Sequence, residues 1–244
     1  MIIRNKREGK YILNLERKTA RGIARQFINM TQSLDGVAKI VFGKTQGSSP
    51  VDLLVDLGFE KIQGVIEDGV ITAYAFGYQQ VANGTRFEVN LERVNKQALE
   101  MVEKRKEFTN AMKQYTKEKL YQSLEKALKG DITYEEYIAE ARNIFVLSEG
   151  RAEKIAMNEI GTVYVEGTLK AVKDYEIELG AKVLKSWSTV NDSRVTEGCK
   201  HNERLGYVDS NYIYPDIDGL GGGDAPPRFI GCRCALDYDV VDIE

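Results

Sequence analysis

The side chains best suited to chemistry lie together near the end of this 244-residue chain. All three cysteines and the single histidine fall within the last 46 residues, as Cys199-x-His201, thirty intervening residues, and Cys232-x-Cys234. Independent scatter would give such clustering roughly once in a thousand chains, which indicates a local site. Three thiolates and one imidazole complete a tetrahedral Zn²⁺ shell of the structural type, with no position left for water. The spacing therefore predicts a structural zinc site.

Two other states of the same thiols stay open. Cys199 can form a disulfide with Cys232 or with Cys234, and all three thiols can instead be free and buried, because free cysteine often packs as a small apolar residue. A zinc ion would offset the ordering entropy of a thirty-residue loop that is rich in Gly, Asp and Pro. The sequence alone does not choose among zinc, disulfide and free thiols.

Catalytic patterns are weaker in this chain. A nucleophilic cysteine needs a base and an orienting group, and His201, which shares a face with Cys199 if the segment is a strand, is the only imidazole. Asp192 beside Arg194 is typical of an ion-paired surface turn. Gly221 to Gly223 precede Asp-Ala-Pro-Pro rather than a helix start, so they predict a flexible loop rather than a phosphate site. We therefore expect no enzymatic activity.

Charge is uneven along the chain, although the net charge is only −3. Met1–Gln26 carries eight basic against two acidic residues, and Leu91–Lys129 carries ten against six. Such stretches are either solvated faces or surfaces that contact phosphates or an acidic protein. The candidate contact residues are Arg4, Lys6, Arg7, Lys10, Arg17, Lys18, Arg21, Arg25, Lys104, Arg105 and Lys106.

Periodicity predicts a helical body that precedes a small mixed module. Helices are predicted from Glu92 to Leu128, from Thr133 to Ile144 behind a Thr133/Glu136 capping box, and from Arg151 to Gly180, whereas Val51–Gln80 is compatible with helix or strand. Alternation predicts strands at Ala181–Val190 and Cys234–Val241.

The expected fold class is α+β, with a mainly helical N-terminal body at residues 1–180 and a small α+β C-terminal module at residues 181–244. Apolar runs fall far short of the ~20 residues of a membrane span, and the polar, basic start does not resemble a cleavable signal. We expect a soluble protein with no membrane partner.

The C-terminal residues carry a resemblance to a known family. Lys185-Ser186-Trp187-Ser188-Thr189, then Asp192-Ser193-Arg194-Val195, His201 with Leu205-Gly206, Pro226-Pro227 and Cys232-Arg233-Cys234 resemble the phage Mu protein F-like minor head proteins of tailed bacteriophages. The helix from Arg151 to Ile160 resembles the segment that precedes this module in the portal-associated branch of the family. The residues that carry the module's pattern are Trp187, Asp192, Arg194, Gly206, Pro226, Pro227 and Arg233.

The resemblance implies a non-enzymatic virion protein, made in the host bacterial cytoplasm and located in the capsid interior near the portal. Its expected partners are the portal protein, a capsid or scaffolding protein, and packaged double-stranded DNA held without sequence specificity, in support of head assembly, DNA packaging or DNA ejection. The basic stretches are compatible with that role. The alternatives are an independent zinc-stabilised DNA-binding protein and a metal- or thiol-dependent enzyme.

Overall fold

Helices dominate the protein. The computed structural model describes residues 2–3, 10–43, 50–83, 85, 87–146 and 149–241. In these ranges the helices are α1 (Lys10–Gly43), α2 (Pro50–Asn83), α3 (Leu91–Lys129), α4 (Tyr134–Val146), α5 (Glu149–Leu179) and α6 (Glu197–Arg204), and the strands are β1 (Ile2–Ile3), β2 (Lys182–Ser188), β3 (Val208–Asp209) and β4 (Ala235–Val241). The expected fold class, α+β and mainly helical, is confirmed.

Local signals explain where the helices begin and end. The backbone N–H of Thr133 donates to Glu136 Oε2 at 2.7 Å and that of Glu136 donates to Thr133 Oγ1 at 3.1 Å, so the capping box opens α4 as predicted. Gly130, with φ of +81°, ends α3. The ambiguous segment at residues 51–80 is helical, and its buried residues recur every three or four positions, as in Val55, Phe59, Ile62, Ile66, Val70 and Ala73. None of the helices in the described ranges is long and apolar enough to cross a membrane.

The sheet is small and antiparallel, with strand order β1-β4-β2-β3. Strands β2 and β4 lie within the two predicted strand segments and pair with each other from end to end, with Trp187 opposite Leu236 and Ser188 opposite Ala235. Alternate residues of both strands are buried, and the buried Tyr238 hydroxyl lies 3.0 Å from Thr168 Oγ1 of α5. The alternating pattern therefore places one face of the sheet against α5.

Contacts group the chain into two compact units. Unit 1 comprises Met1–Arg17, Asp68–Val102 and Lys154–Glu244, and unit 2 comprises Lys18–Glu67 and Glu103–Glu153. Unit 1 therefore joins segments from both sides of residue 180. Independent folding of residues 181–244, which composition suggests, stays a prediction.

A polar network holds α2, α3 and α5 together inside unit 1. The Tyr78 hydroxyl donates to Asp174 Oδ2 at 2.9 Å, and Arg93 contacts both Asp174 at 3.3 Å and Glu178 at 2.6 Å. Two aromatic contacts add to this packing, because the Phe76 ring lies against Tyr11 and Tyr164, with centroids 4.2 and 6.0 Å away. These contacts fix the C-terminal half of α2 against α5.

Unit 2 combines an apolar seam with ion pairs. The Phe27 and Phe59 rings meet edge to face at 5.8 Å. Lys117 of α3 contacts Asp52 and Asp56 of α2 at 3.3 and 2.9 Å, and Lys113 contacts Asp56 at 3.5 Å. Because these groups are partly exposed, the ion pairs orient the helices more than they stabilise them.

Glycines allow the closest approach of α2 and α5 in unit 1. A Cβ at Gly77 would lie 2.2 Å from the Tyr164 carbonyl oxygen, and a Cβ at Gly167 would lie 2.4 Å from the Tyr74 carbonyl oxygen. A Cβ at Gly64, which also lies in α2, would have no neighbouring atom within 4 Å.

We predict that Gly167→Ala lowers the free energy of unfolding by about 1–3 kcal/mol, because neighbouring backbone has to move. Gly64→Ala is the control. It should leave stability unchanged or raise it by up to about 1 kcal/mol, since alanine favours an open helical position. Urea unfolding of both variants checks the pair, and equal effects would contradict the proposed close packing.

Candidate metal centre

The three cysteines form a buried sulfur cluster. The Sγ atoms of Cys199, Cys232 and Cys234 all lie within 4.8 Å of one another, and the thiols are free. Each residue is no more than 3% exposed. Tetrahedral zinc with Zn–S bonds of about 2.3 Å separates its sulfurs by about 3.8 Å, so a small contraction brings these thiols to ligand distance. The cluster could hold a metal ion.

Helix α6 supplies Cys199, at the third position of the helix. Its N-cap Thr196 accepts a hydrogen bond from the Cys199 backbone N–H at 3.4 Å. Asp218 Oδ2 accepts from the Gly198 N–H at 2.8 Å. At the other end of the helix, Glu203 accepts from the backbone N–H of Thr189, which follows β2, at 2.8 Å. These contacts fix α6 against the sheet and fix the direction of the Cys199 side chain.

The approach to β4 supplies the other two sulfurs. Cys232 and Cys234 flank Arg233 just before Ala235, and in an extended chain residues two apart point the same way. The intervening Arg233 points away from them and pairs with Asp192. Gly231, with φ of +95°, precedes this segment, and the Cys232 N–H donates to the Phe229 carbonyl at 3.0 Å. A turn and an extended segment thus place both thiols against α6.

Negative charge is best placed on Cys199. Hydrogen bonds from the thiols of Cys232 and Cys234, with smaller contributions from Thr196 and Arg228, outweigh desolvation and lower the pKa of the Cys199 thiol. The shared bonds correspondingly raise the pKa of Cys234 and of Cys232. One thiolate is therefore stabilised without a metal, and a metal ion is needed to deprotonate the other two.

A buried guanidinium lies beside the cluster. The Arg228 side chain is 0% exposed, and its Nη1 is 4.0 Å from Cys199 Sγ. Arg228 Nη2 contacts Asp218 Oδ1 at 2.5 Å, and Nε donates to the Gly221 carbonyl at 2.6 Å. The guanidinium holds the pKa of Asp218 well below its usual range. One side chain therefore connects the Gly-rich loop, the N-terminus of α6 and the sulfur cluster.

A second charged group borders the centre on its outer side. Asp192 accepts from the Arg194 backbone N–H at 2.9 Å and pairs with the Arg194 and Arg233 guanidiniums. Arg233, followed by the Arg194 N–H, lowers the pKa of Asp192. This is the ion-paired turn that the sequence indicated, with Arg233 as an additional partner.

The structure does not bring His201 to the three sulfurs. His201 and Cys199 lie on α6, where residues two apart are about 200° apart around the axis, so the strand geometry considered for this pair is wrong. The group of close sulfurs comprises the three cysteines, while His201 is half-exposed on another face of the helix. A four-ligand shell that includes His201 stays a prediction.

The Gly-rich loop is packed rather than open. Tyr214 and Gly223 exchange two backbone hydrogen bonds, at 2.8 and 3.1 Å. A Cβ at Gly222 would lie 2.7 Å from the Tyr214 carbonyl oxygen. Close backbone contact therefore explains the glycine at position 222.

The remaining residues of the module's pattern have structural positions. Trp187 is 1% exposed, and its ring meets Tyr214 edge to face at 4.9 Å. Gly206 follows α6 with φ of +66°, which glycine adopts without strain, and the Pro226–Pro227 peptide bond is cis. These residues build the module around the sulfur cluster.

The predicted contact residues divide between two helices. Arg4, Lys6 and Arg7 lie outside the described residues. On α1, Lys10, Arg17, Lys18, Arg21 and Arg25 are all exposed. On α3, Lys104 is exposed, whereas Arg105 and Lys106 are half-buried and Lys106 pairs with Glu103.

Comparison with known proteins decides the family. A family model described as Phage Mu protein F like protein matches residues 78–237, about two thirds of the chain. The chain belongs to this family. The match begins within α2 and ends within β4, so it includes the whole sulfur cluster. No curated protein and no solved structure matches the chain.

Membership in the Mu F-like family confirms the resemblance drawn from the C-terminal residues. It makes the chain a phage head-related protein of a structural type, with a location in the virion. The matched region reaches well upstream of residue 150, where the motif-level resemblance begins, and takes in α3 and α4.

Sequence reasoning missed the buried charges of the module. Asp218 and Arg228 pair across ten residues of irregular chain, and no periodicity marks such a pair. Lys185 is 0% exposed on the buried face of β2, where its Nζ donates to the Asp224 carbonyl at 2.8 Å and lies 5.5 Å from the Tyr214 ring centroid. The alternation of β2 gave the only signal, because it places Lys185 on the same face as Val183 and Trp187.

Lys185 gives the module a pH-dependent stability. Burial lowers the pKa of Lys185 from 10.5 to about 8. Between these values the unfolded chain is protonated and the folded chain is neutral, so the stability cost is complete below about pH 8 and disappears as pH rises toward 10.5.

We predict that wild type gains up to about 3 kcal/mol relative to Lys185→Met between pH 8 and pH 10.5. Urea unfolding at several pH values measures the difference. Lys182→Met, at the exposed start of β2, is the control and should give a difference that is constant with pH. A constant difference for Lys185→Met would contradict the burial of a lysine whose pKa is shifted.

Proposed function

We propose that the protein is a minor head protein at the portal vertex, facing the capsid interior, where it aids head assembly, DNA packaging or DNA ejection without being an enzyme. The family match supports the head assignment. The exposed basic face of α1 is the observation that carries the proposed contact with DNA or portal, because it is available for an acidic partner.

The geometry of α1 concentrates positive charge. Successive helical residues rotate by about 100°, so Lys18, Arg21 and Arg25 fall within about 60° of one another around the helix. All three are exposed, and no ion pair joins them to another described residue. Lys10 and Arg17 are exposed on the same helix. The basic face, defined as Lys18, Arg21 and Arg25 of unit 2, is free to displace counterions from phosphates.

Helix α3 is a weaker candidate, although its sequence is also basic. Lys106, Lys126 and Lys129 contact Glu103, Glu140 and Glu125. Lys113 and Lys117 contact aspartates of α2. Much of the positive charge of α3 is therefore already paired, which favours α1 as the contact surface.

We predict that Lys18→Gln/Arg21→Gln/Arg25→Gln weakens duplex DNA binding at least tenfold and reduces the salt slope by about 2.7, since each lost phosphate contact contributes about 0.9. Lys106→Gln/Lys126→Gln/Lys129→Gln is the matched control. It removes the same charge from paired positions and should change affinity less than threefold. Fluorescence anisotropy between 50 and 300 mM salt measures both variants.

Equal losses in the two triple variants would contradict a specific role for α1. If the α1 variant keeps DNA affinity but no longer co-purifies with the portal protein of its phage, the partner of the basic face is the portal surface. Imaging of purified particles tests the location directly. Density for the chain at the portal vertex supports the proposal, whereas particles that lack the chain refute it and favour an independent DNA-binding protein.

We propose further that the three sulfurs bind a structural zinc ion. A buried, pre-arranged set of thiols next to a guanidinium fits a divalent ion, because Zn²⁺ with three thiolates carries one net negative charge and Arg228 lies 4.0 Å from Cys199. The described residues place no base in the sulfur cluster, which supports a structural role.

We predict one zinc per chain after purification under reducing conditions, measured by elemental analysis. Cys232→Ser and Cys234→Ser should each lower the retained zinc at least tenfold, because each removes a thiolate ligand. Zinc removal by a chelator should shift the near-ultraviolet circular dichroism of Trp187, which is packed in the same module. Retention of full zinc by either variant would contradict the site.

A further inference from the structure

We infer that the centre is a three-thiolate site whose fourth metal position is open to a small exchangeable ligand, either water or a small anion. The inference rests on the metal site proposed above and changes its class. A shell closed by His201 excludes water, whereas a three-sulfur site exchanges its fourth ligand with the solvent.

The protein places three sulfur donors around one position. Among the described residues, the close group of possible metal ligands comprises the sulfurs of Cys199, Cys232 and Cys234. Asp192 lies near but outside this group, and its carboxylate is already paired with the Arg194 backbone N–H and with Arg233. Three protein donors therefore point to one position.

The His201 side chain points away from the sulfurs. A bond from His201 to the same metal ion requires the first turns of α6 to unwind, because its side chain leaves the helix about 200° from that of Cys199. Unwinding breaks the Lys200 N–H bond to the Thr196 carbonyl at 3.0 Å and disturbs the Glu203 contact with Thr189. The helix holds the imidazole away from the sulfurs.

A small cavity lies beside the sulfur cluster. A space of about 20 Å³ borders the cluster, lined by the three cysteines together with Asp192, Arg194 and Arg233 and by nearby apolar side chains. A water molecule needs about 10–15 Å³ of cavity volume and two or more polar partners, so one water fits. Size selects a ligand of one to three atoms, and the two arginines, which outnumber the single carboxylate of Asp192 in the lining, favour water or a small anion over a cation.

Cobalt substitution of the full chain tests the inference. Co²⁺ replaces zinc in tetrahedral thiolate sites and makes the ligand set visible, through charge-transfer bands from each thiolate and d–d bands that depend on the fourth donor. Wild type and His201→Ala are loaded with Co²⁺ without oxygen and then titrated with azide as a small anionic probe. Zinc-loaded His201→Ala is examined in parallel by X-ray absorption.

The inference predicts three-thiolate charge-transfer intensity and identical d–d bands in both proteins, with Co²⁺ affinities within threefold of each other. Azide should shift the d–d bands of both in a saturable way, and the zinc spectrum of His201→Ala should fit three sulfurs and one light atom. A tenfold loss of affinity or altered bands in His201→Ala overturns the open position in favour of the closed shell. If azide does not shift the d–d bands of Co²⁺-loaded wild type, the open fourth position is overturned as well.

If the three sulfurs do not bind a metal at all, the same experiment gives a different result. In that case neither wild type nor His201→Ala retains Co²⁺ or Zn²⁺ after gel filtration, and the thiolate bands are absent from both. That result refutes the metal proposal and the inference together. A tightly bound metal that is insensitive to azide refutes the inference alone.

Discussion

A buried guanidinium is the interaction on which the C-terminal module depends. The Arg228 side chain is 0% exposed and contacts Asp218, the Gly221 carbonyl and the edge of the sulfur cluster. Removing one member of such a pair leaves an unpaired buried charge, at a cost of about 3–5 kcal/mol. Because Asp218 also accepts from the Gly198 N–H, the same pair fixes where α6 begins and hence where Cys199 points. The position of one sulfur thus follows from a charge that cannot reach water.

The other two sulfurs depend on strand register. Full pairing of β2 with β4 places Ser188 opposite Ala235, so Cys234 leaves the sheet beside the residue that follows β2. At that point the backbone N–H and the hydroxyl of Thr189 both donate to the carboxylate of Glu203 on α6. A shift of one residue in the register would turn Cys232 and Cys234 to the opposite side and bring Arg233 inward. The sulfur cluster is therefore a consequence of the sheet and of the helix that is tied to it.

The predictable features are those with a local signal. Alternation gives β2 and β4, the Thr133/Glu136 pair gives the start of α4, and clustering of cysteines gives the centre. The helical state of α2 was ambiguous because its glycines serve packing between helices, as Gly77 does against Tyr164, rather than local preference. The direction of His201 depends on a short helix whose N-cap is completed by Asp218, twenty residues away from Gly198. Such contacts between distant residues of irregular chain have no period to reveal them.

The C-terminal module and the basic face of α1 differ in the kind of contact that each offers, which bears on the proposed position at the portal. The module has a small apolar core around Trp187, and buried charge pairs such as Arg228 with Asp218 add order that a larger core supplies elsewhere. Packing of this kind would suit the proposed fixed position on a protein ring. The basic face of α1, in contrast, offers exposed point charges and no aromatic platform for bases. Contacts of that kind exchange rapidly and are independent of sequence, so in the proposed role DNA would move past them in either direction, whereas base-specific contacts would hold it.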